Sequence, residues 1–145
     1  MNNVESFLTA EQEALVVKAI QDAEKGTSGE IRVHIENSTE KPTLERAKEV
    51  FLYLNMEQTK QRNGVLLYVA VNNHQFAIIG DEGINTCVPS DFWKEEKELI
   101  TKLFSQGKNS EALIKGIANV GEKLKAFFPH ESHDENELPD TISKA

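Results

Sequence analysis

The chain has 145 residues, 39% hydrophobic and 28% charged, a globular composition that excludes a largely disordered protein. One domain of this size buries roughly two-thirds of the surface its unfolded chain exposes. A formal net charge of −8 repels phosphate backbones and anionic lipid, and no Lys/Arg block offsets it, so no nucleic-acid partner is expected.

The first nine residues lack a basic segment followed by an apolar run, and no stretch approaches the ~20 apolar residues of a membrane span. No membrane insertion and a cytoplasmic setting are therefore expected. The single cysteine, Cys87, forms neither an internal disulfide nor a zinc cluster by itself.

Thr9 followed by Gln12 reads as a capping box, and Leu15, Val16, Ala19, Ile20 and Ala23 recur at helical spacing until Gly26. After the turn at residues 25–29, Ile31, Val33 and Ile35 alternate with Arg32, His34 and Glu36, predicting a strand with one buried face. Pro42 suits a helix entrance, and Leu44, Ala47, Val50, Phe51 and Leu54 form the apolar stripe of a second helix. Residues 65–71 are apolar without alternation, as in a central strand covered on both faces.

Asn72 and Asn73 fit a two-residue hairpin turn, where asparagine tolerates positive φ, and residues 75–79 return as a third strand. Two amphipathic helices follow at about 90–104 and 110–127, separated by a break at 106–108, and Pro129 closes the second. The expected fold class is α/β: a three-layer α/β/α sandwich with a mixed, mainly parallel sheet, one hairpin, and helices on both faces. Residues 1–129 form the domain. Residues 130–145 form an acidic tail, read as flexible on composition or folded back on the domain.

Three stretches carry a family resemblance: Thr27-Ser28-Gly29-Glu30-Ile31-Arg32-Val33, then Arg62-Asn63-Gly64-Val65-Leu66-Leu67-Tyr68-Val69, then Phe76-Ala77-Ile78-Ile79-Gly80-Asp81-Glu82-Gly83-Ile84-Asn85. Trp93, the Phe104-Ser105-Gln106-Gly107 segment, residues 113–116 and Phe127-Phe128-Pro129 continue it in order. The series, over roughly residues 5–129, resembles the TPM domain family, and the ending at 136–143 resembles short bacterial members without an anchor. The resemblance implies divalent-cation binding, calcium among the cations, and acid phosphatase chemistry. Functions tied to thylakoids or receptors belong to relatives with targeting and membrane segments and are not carried over.

If the third strand returns antiparallel to the second, Gly80-Asp81 meets Asn63-Gly64 and the start of the first strand at Glu30. Asp81, Glu82 and Glu30 then supply carboxylates, Arg62 a counter-charge, and Ser28 and Asn63 neutral oxygens, with Asp91 close if the next helix folds back. The expectation is a calcium or magnesium site at this edge, where Gly80 and Gly83 let backbone carbonyls turn inward. The competing reading makes Asp81-Glu82-Gly83 a turn, with Asp81 capping the next segment or paired with Arg62.

The phosphatase reading has no phosphate-cradling glycine loop ending in Lys-Ser/Thr, no Cys-x5-Arg loop after Cys87, and no Asp-x-Asp pair at a strand end, so it requires a bound metal. His34 is expected to be covered by a helix and hydrogen-bonded, His74 to be solvated, and Cys87, Phe92 and Trp93 to pack. His130, His133, Asp134 and Glu137 offer ligands for an adventitious transition metal. Two functions compete: a module whose acidic edge binds a cation and a protein partner, and a slow metal-dependent phosphatase acting on phosphomonoesters. The module is favoured, with no organic cofactor.

Overall fold

The computed structural model describes residues 4–129 and 140–145. In chain order it contains α1 (Val4–Phe7), α2 (Ala10–Glu24), β1 (Glu30–Glu36), α3 (Thr43–Tyr53), a 3-10 turn at Met56–Gln58, and β2 (Gly64–Ala70). Then come β3 (Gln75–Gly80), α4 (Glu82–Asn85), α5 (Phe92–Ser105), α6 (Asn109–Phe127) and β4 (Ser143–Lys144).

The sheet order is β3-β2-β1-β4. β1 runs parallel to β2 and to β4, and β2 runs antiparallel to β3. Crossover through α3 joins the parallel pair, as a β-α-β connection requires. Alternation along the strands divides the core in two. Ile31, Val33, Ile35, Val65, Leu67, Phe76 and Ile78 pack with residues of α2, α5 and α6 on one face. Leu66, Tyr68, Ala70 and Ala77 meet Ala47, Val50 and Phe51 of α3 on the other. The result is the three-layer α/β/α sandwich.

The capping box of α2 is complete: Gln12 N–H donates to Thr9 Oγ1 at 3.1 Å and Thr9 N–H donates to Gln12 Oε1 at 2.9 Å. Elsewhere local patterning yields to packing. β1 is buried on both faces apart from Arg32, rather than on one, because α3 covers the side that bears the polar residues. Leu15 and Leu44 were expected in apolar stripes, yet both are exposed, at 54% and 52%.

The hairpin differs from the two-asparagine turn. Ala70 pairs with Gln75, so the loop holds four residues, His74 N–H donates to Val71 O at 3.2 Å, and the positive φ falls on His74 at 53°. The end of the chain returns to the sheet: Ser143 and Lys144 pair with His34 and Ile35, and Ala145 N–H donates to Ile35 O at 3.1 Å. Residues 130–139, with both tail histidines, lie outside the described residues.

Candidate functional site

The start of β1 is fixed by the turn before it. Thr27 Oγ1 donates to Leu124 O at 3.0 Å and also contacts Phe128 O, while its oxygen accepts from Gly29 N–H at 2.9 Å. A β-carbon on Gly29 would lie 2.7 Å from the buried Leu124 side chain, so any other residue there must displace Leu124 for the turn to seat against α6. The turn folds the end of α2 back beside β1, and Glu24 Oε2 accepts from Ile31 N–H at 2.8 Å.

Three carboxylates gather here. Glu24 closes α2, Glu30 opens β1 at 2% exposure, and Asp140 arrives from the C-terminal segment. An oxygen of each lies within 4.8 Å of the other two. Burial drives the Glu24 carboxyl well above the usual glutamate range; the hydrogen bond with Asp140 and the charge of Glu30 add to this, against the Ile31 amide. Glu24 therefore keeps a proton at neutral pH, which relieves repulsion among the three.

The predicted edge does bring its backbone segments together. Val65 pairs with Gly80, Asp81 N–H donates to Gly64 O at 2.9 Å, and Glu30 lies in register with Gly64. Arg62, held at φ 53°, grips Asp81 with both ends of its fork: Nε to Oδ2 at 2.7 Å and an Nη to Oδ1 at 2.8 Å. Its other Nη reaches Glu82 Oε1 at 3.1 Å, and Asp81 Oδ1 also caps the Glu82 amide at 2.8 Å. This is the geometry of the cap and ion-pair reading.

Ser28 Oγ bonds the Gln61 side chain and accepts from Asn63 Nδ2 at 3.3 Å. Gly83 permits close approach: its N–H donates to Arg62 O at 2.8 Å, and a β-carbon there would lie 2.6 Å from that carbonyl. Asp91 is exposed before α5, and among the described residues no hydrogen bond or ion pair joins it to Glu30, Asp81 or Glu82.

A second polar cluster occupies the other end of β1. Glu36, 4% exposed, accepts from Arg46 Nε and Nη2 at 2.9 Å each, from the Tyr68 hydroxyl, and bonds His34 Nε2 at 3.1 Å. His34 Nδ1 lies 3.0 Å from Ser143 Oγ. Burial pushes the Glu36 carboxyl up, but the bonds from Arg46, Tyr68 and His34 outweigh it and hold it at about 2. Burial pushes His34 down, partly offset by Glu36. His34 is thus covered and hydrogen-bonded, as its place in the alternation implies.

Cys87 departs from the packing expectation: it is exposed, with Sγ 3.4 Å from Gly83 O, because the turn after α4 points it outward. Phe92 is buried, whereas Trp93 is half-buried and donates Nε1–H to Asn85 Oδ1 at 2.7 Å. His74 is exposed. Sequence reasoning passed over Glu24, which it left unremarked in the first helix, and Asp140, which it counted only among the acids of the tail. A cue for Glu24 was its position just before the tight turn into Glu30.

The architecture defines a three-layer α/β domain with charged and polar side chains concentrated at both ends of β1. The chain belongs to the TPM domain family, which matches residues 1–123. It is similar to the BA42 protein of the psychrophilic bacterium Bizionia argentinensis, solved by NMR, at 49% identity, with 98% of each chain covered and a TM-score of 0.90. The N-terminal domain of a P. gingivalis protein shares the fold at 18% identity, with 88% of this chain and 84% of that one covered and a TM-score of 0.72. So does the N-terminal domain of cg2496 from Corynebacterium glutamicum, at 13% identity, 90% and 84% coverage, and a TM-score of 0.64. No curated protein matches. Among the described residues no helix is long and apolar enough to cross a membrane.

Proposed function

We propose that this TPM domain is a divalent-cation-binding module in which Glu24, Glu30 and Asp140 hold calcium or magnesium at the start of β1. The observation that carries the reading is the approach of three carboxylates from three chain segments to within 4.8 Å of one another. An all-oxygen donor set drawn from separate segments suits these hard cations, and a divalent ion would offset the repulsion that a retained proton on Glu24 otherwise relieves. Glu30 belongs to both the expected edge site and this trio. Asp81, with both oxygens bonded by Arg62, is better suited to holding the hairpin to the loop before β2.

The test is a calcium and magnesium titration of the metal-stripped protein followed by amide NMR. Saturable shifts at 24–31 and 140–145 that disappear in Glu30→Gln and persist in Asp81→Asn support the trio. Loss in Asp81→Asn with retention in Glu24→Gln returns the site to the hairpin edge, and flat titrations remove both. Adding a phosphomonoester to the loaded protein reads the phosphatase alternative directly: turnover that needs the cation and vanishes in Glu30→Gln would make the module an enzyme. Capture of a protein partner is the remaining role of such a surface, and cation dependence of that capture is its signature.

A further inference from the structure

A cleft of about 400 Å³ opens at the opposite end of the sheet from the acid trio, where β2 ends and the chain turns into β3. Seven residues of β1 at ~3.3 Å each put the two places roughly 20 Å apart. The cleft lies at the carboxyl end of the parallel pair β1-β2, the end at which open α/β sheets hold their ligands. Its volume falls in the range of small-molecule sites, about 300–1,000 Å³.

Three phenylalanines form its wall. The rings of Phe7 and Phe76 each meet Phe104 edge to face at 5.6 Å, bringing together α1, β3 and the last turn of α5. Val69 and Val71 extend the apolar surface, and Thr101, Ser105 and His74 complete the lining. Gly107, at φ 75°, turns the chain sharply from α5 into α6, and nothing lies within 4 Å of where its β-carbon would be, so this side stays open. Asn109 is tied to Phe7 O at 3.1 Å, which fixes the wall beneath.

The charge beside the cleft is opposite to that of the chain. Lys94, Lys97 and Lys102 line an adjoining groove on the outer face of α5 with Glu98 and Thr101, and Thr101 borders both spaces. Among the described residues no carboxylate pairs with these three lysines. In a protein of net charge −8, an apolar cleft that shares Thr101 with a groove lined by three lysines and one glutamate suits an apolar molecule bearing a negative head.

We propose that the cleft binds a small amphiphilic carboxylate, its aromatic or short aliphatic body against Phe7, Phe76 and Phe104 and its carboxylate on Lys97 and Lys102. The site is independent of the cation reading, and the failure of either leaves the other standing.

The test uses the full chain with 4-phenylbutyrate and octanoate as probes, each against its neutral alcohol, followed by amide NMR. Saturable shifts confined to 69–76 and 101–109 are expected, with the acids at least ~10-fold tighter than the alcohols, the scale of a charge-assisted hydrogen bond. Lys97→Glu with Lys102→Glu should remove that preference and leave alcohol binding unchanged, and Thr101→Trp, which crowds the mouth, should weaken both. Glu24→Gln should alter none of it. Equal affinity for acid and alcohol, shifts mapping to the start of β1, or no saturation up to millimolar probe would overturn the proposal.

Discussion

His34 and Tyr68 face each other across the parallel β1-β2 register with rings 5.9 Å apart and 10° from parallel, and both reach the carboxylate of Glu36. That carboxylate also receives the Arg46 fork from α3. A helix, two strands and, through Ser143, the returning C-terminus thus meet on one buried charge. Removing a partner from such a cluster strands the others in a poorly solvating site, so it governs stability more than its size implies.

Glu36→Ala should therefore lose about 3 kcal/mol, the low end for a broken buried pair, because the Arg46 side chain is 33% exposed and can return to water. Tyr68→Phe, which removes one donor and leaves Arg46 and His34 on the carboxylate, should lose about 1.5 kcal/mol. Urea denaturation at pH 7 measures both. A loss under 1 kcal/mol for Glu36→Ala would mean that the network contributes little.

Acid should weaken the fold through His34. Its folded pKa lies below the unfolded value of about 6.5, so below that pH the unfolded chain binds the extra proton and stability falls. Glu36, depressed to about 2, adds a second loss that begins as pH drops through about 4.5. Urea midpoints from pH 7.5 to 5.5 should decline in the native protein and decline less in His34→Gln. Matching slopes would assign the decline to other groups.

The carboxyl of Glu24 gives the opposite sign. Its folded pKa is raised, so the stability it contributes is complete below the ordinary glutamate range and is lost as pH rises toward the folded value. Glu24→Gln, which mimics the protonated form, should raise the melting temperature more at pH 8.5 than at pH 5. Calcium binding at pH 7 should release close to one proton, read by calorimetry in buffers of different ionisation enthalpy, and this release should disappear in Glu24→Gln. Binding without proton release would place the ion elsewhere.

Gly83→Ala should cost about 1–3 kcal/mol, since the added carbon would be forced to 2.1 Å from the Gln61 carbonyl oxygen and 2.6 Å from that of Arg62, and must push α4 off the loop before β2. Amide exchange should accelerate at Gly83 and Asp81, whose N–H groups bond Arg62 O and Gly64 O. Unchanged exchange and melting would show that the loop yields without cost.

The amino-acid order by itself determined the elements whose causes are local. Thr9 and Gln12 start α2, apolar alternation sets the facing of β1, and the unbroken apolar run of β2 announces a strand covered on both sides. It also placed Gly80-Asp81 beside Asn63-Gly64, because a hairpin and a crossover leave one return path. What it left open was decided by side chains meeting across the fold. Arg62 takes both oxygens of Asp81 only because two loops converge, and Glu24, Glu30 and Asp140 approach only because α2 folds back and the chain end returns to β1. Leu15 and Leu44 fit their helices' apolar pattern yet face water, since periodicity fixes which residues share a face, and only the packed neighbours determine which part of that face is covered.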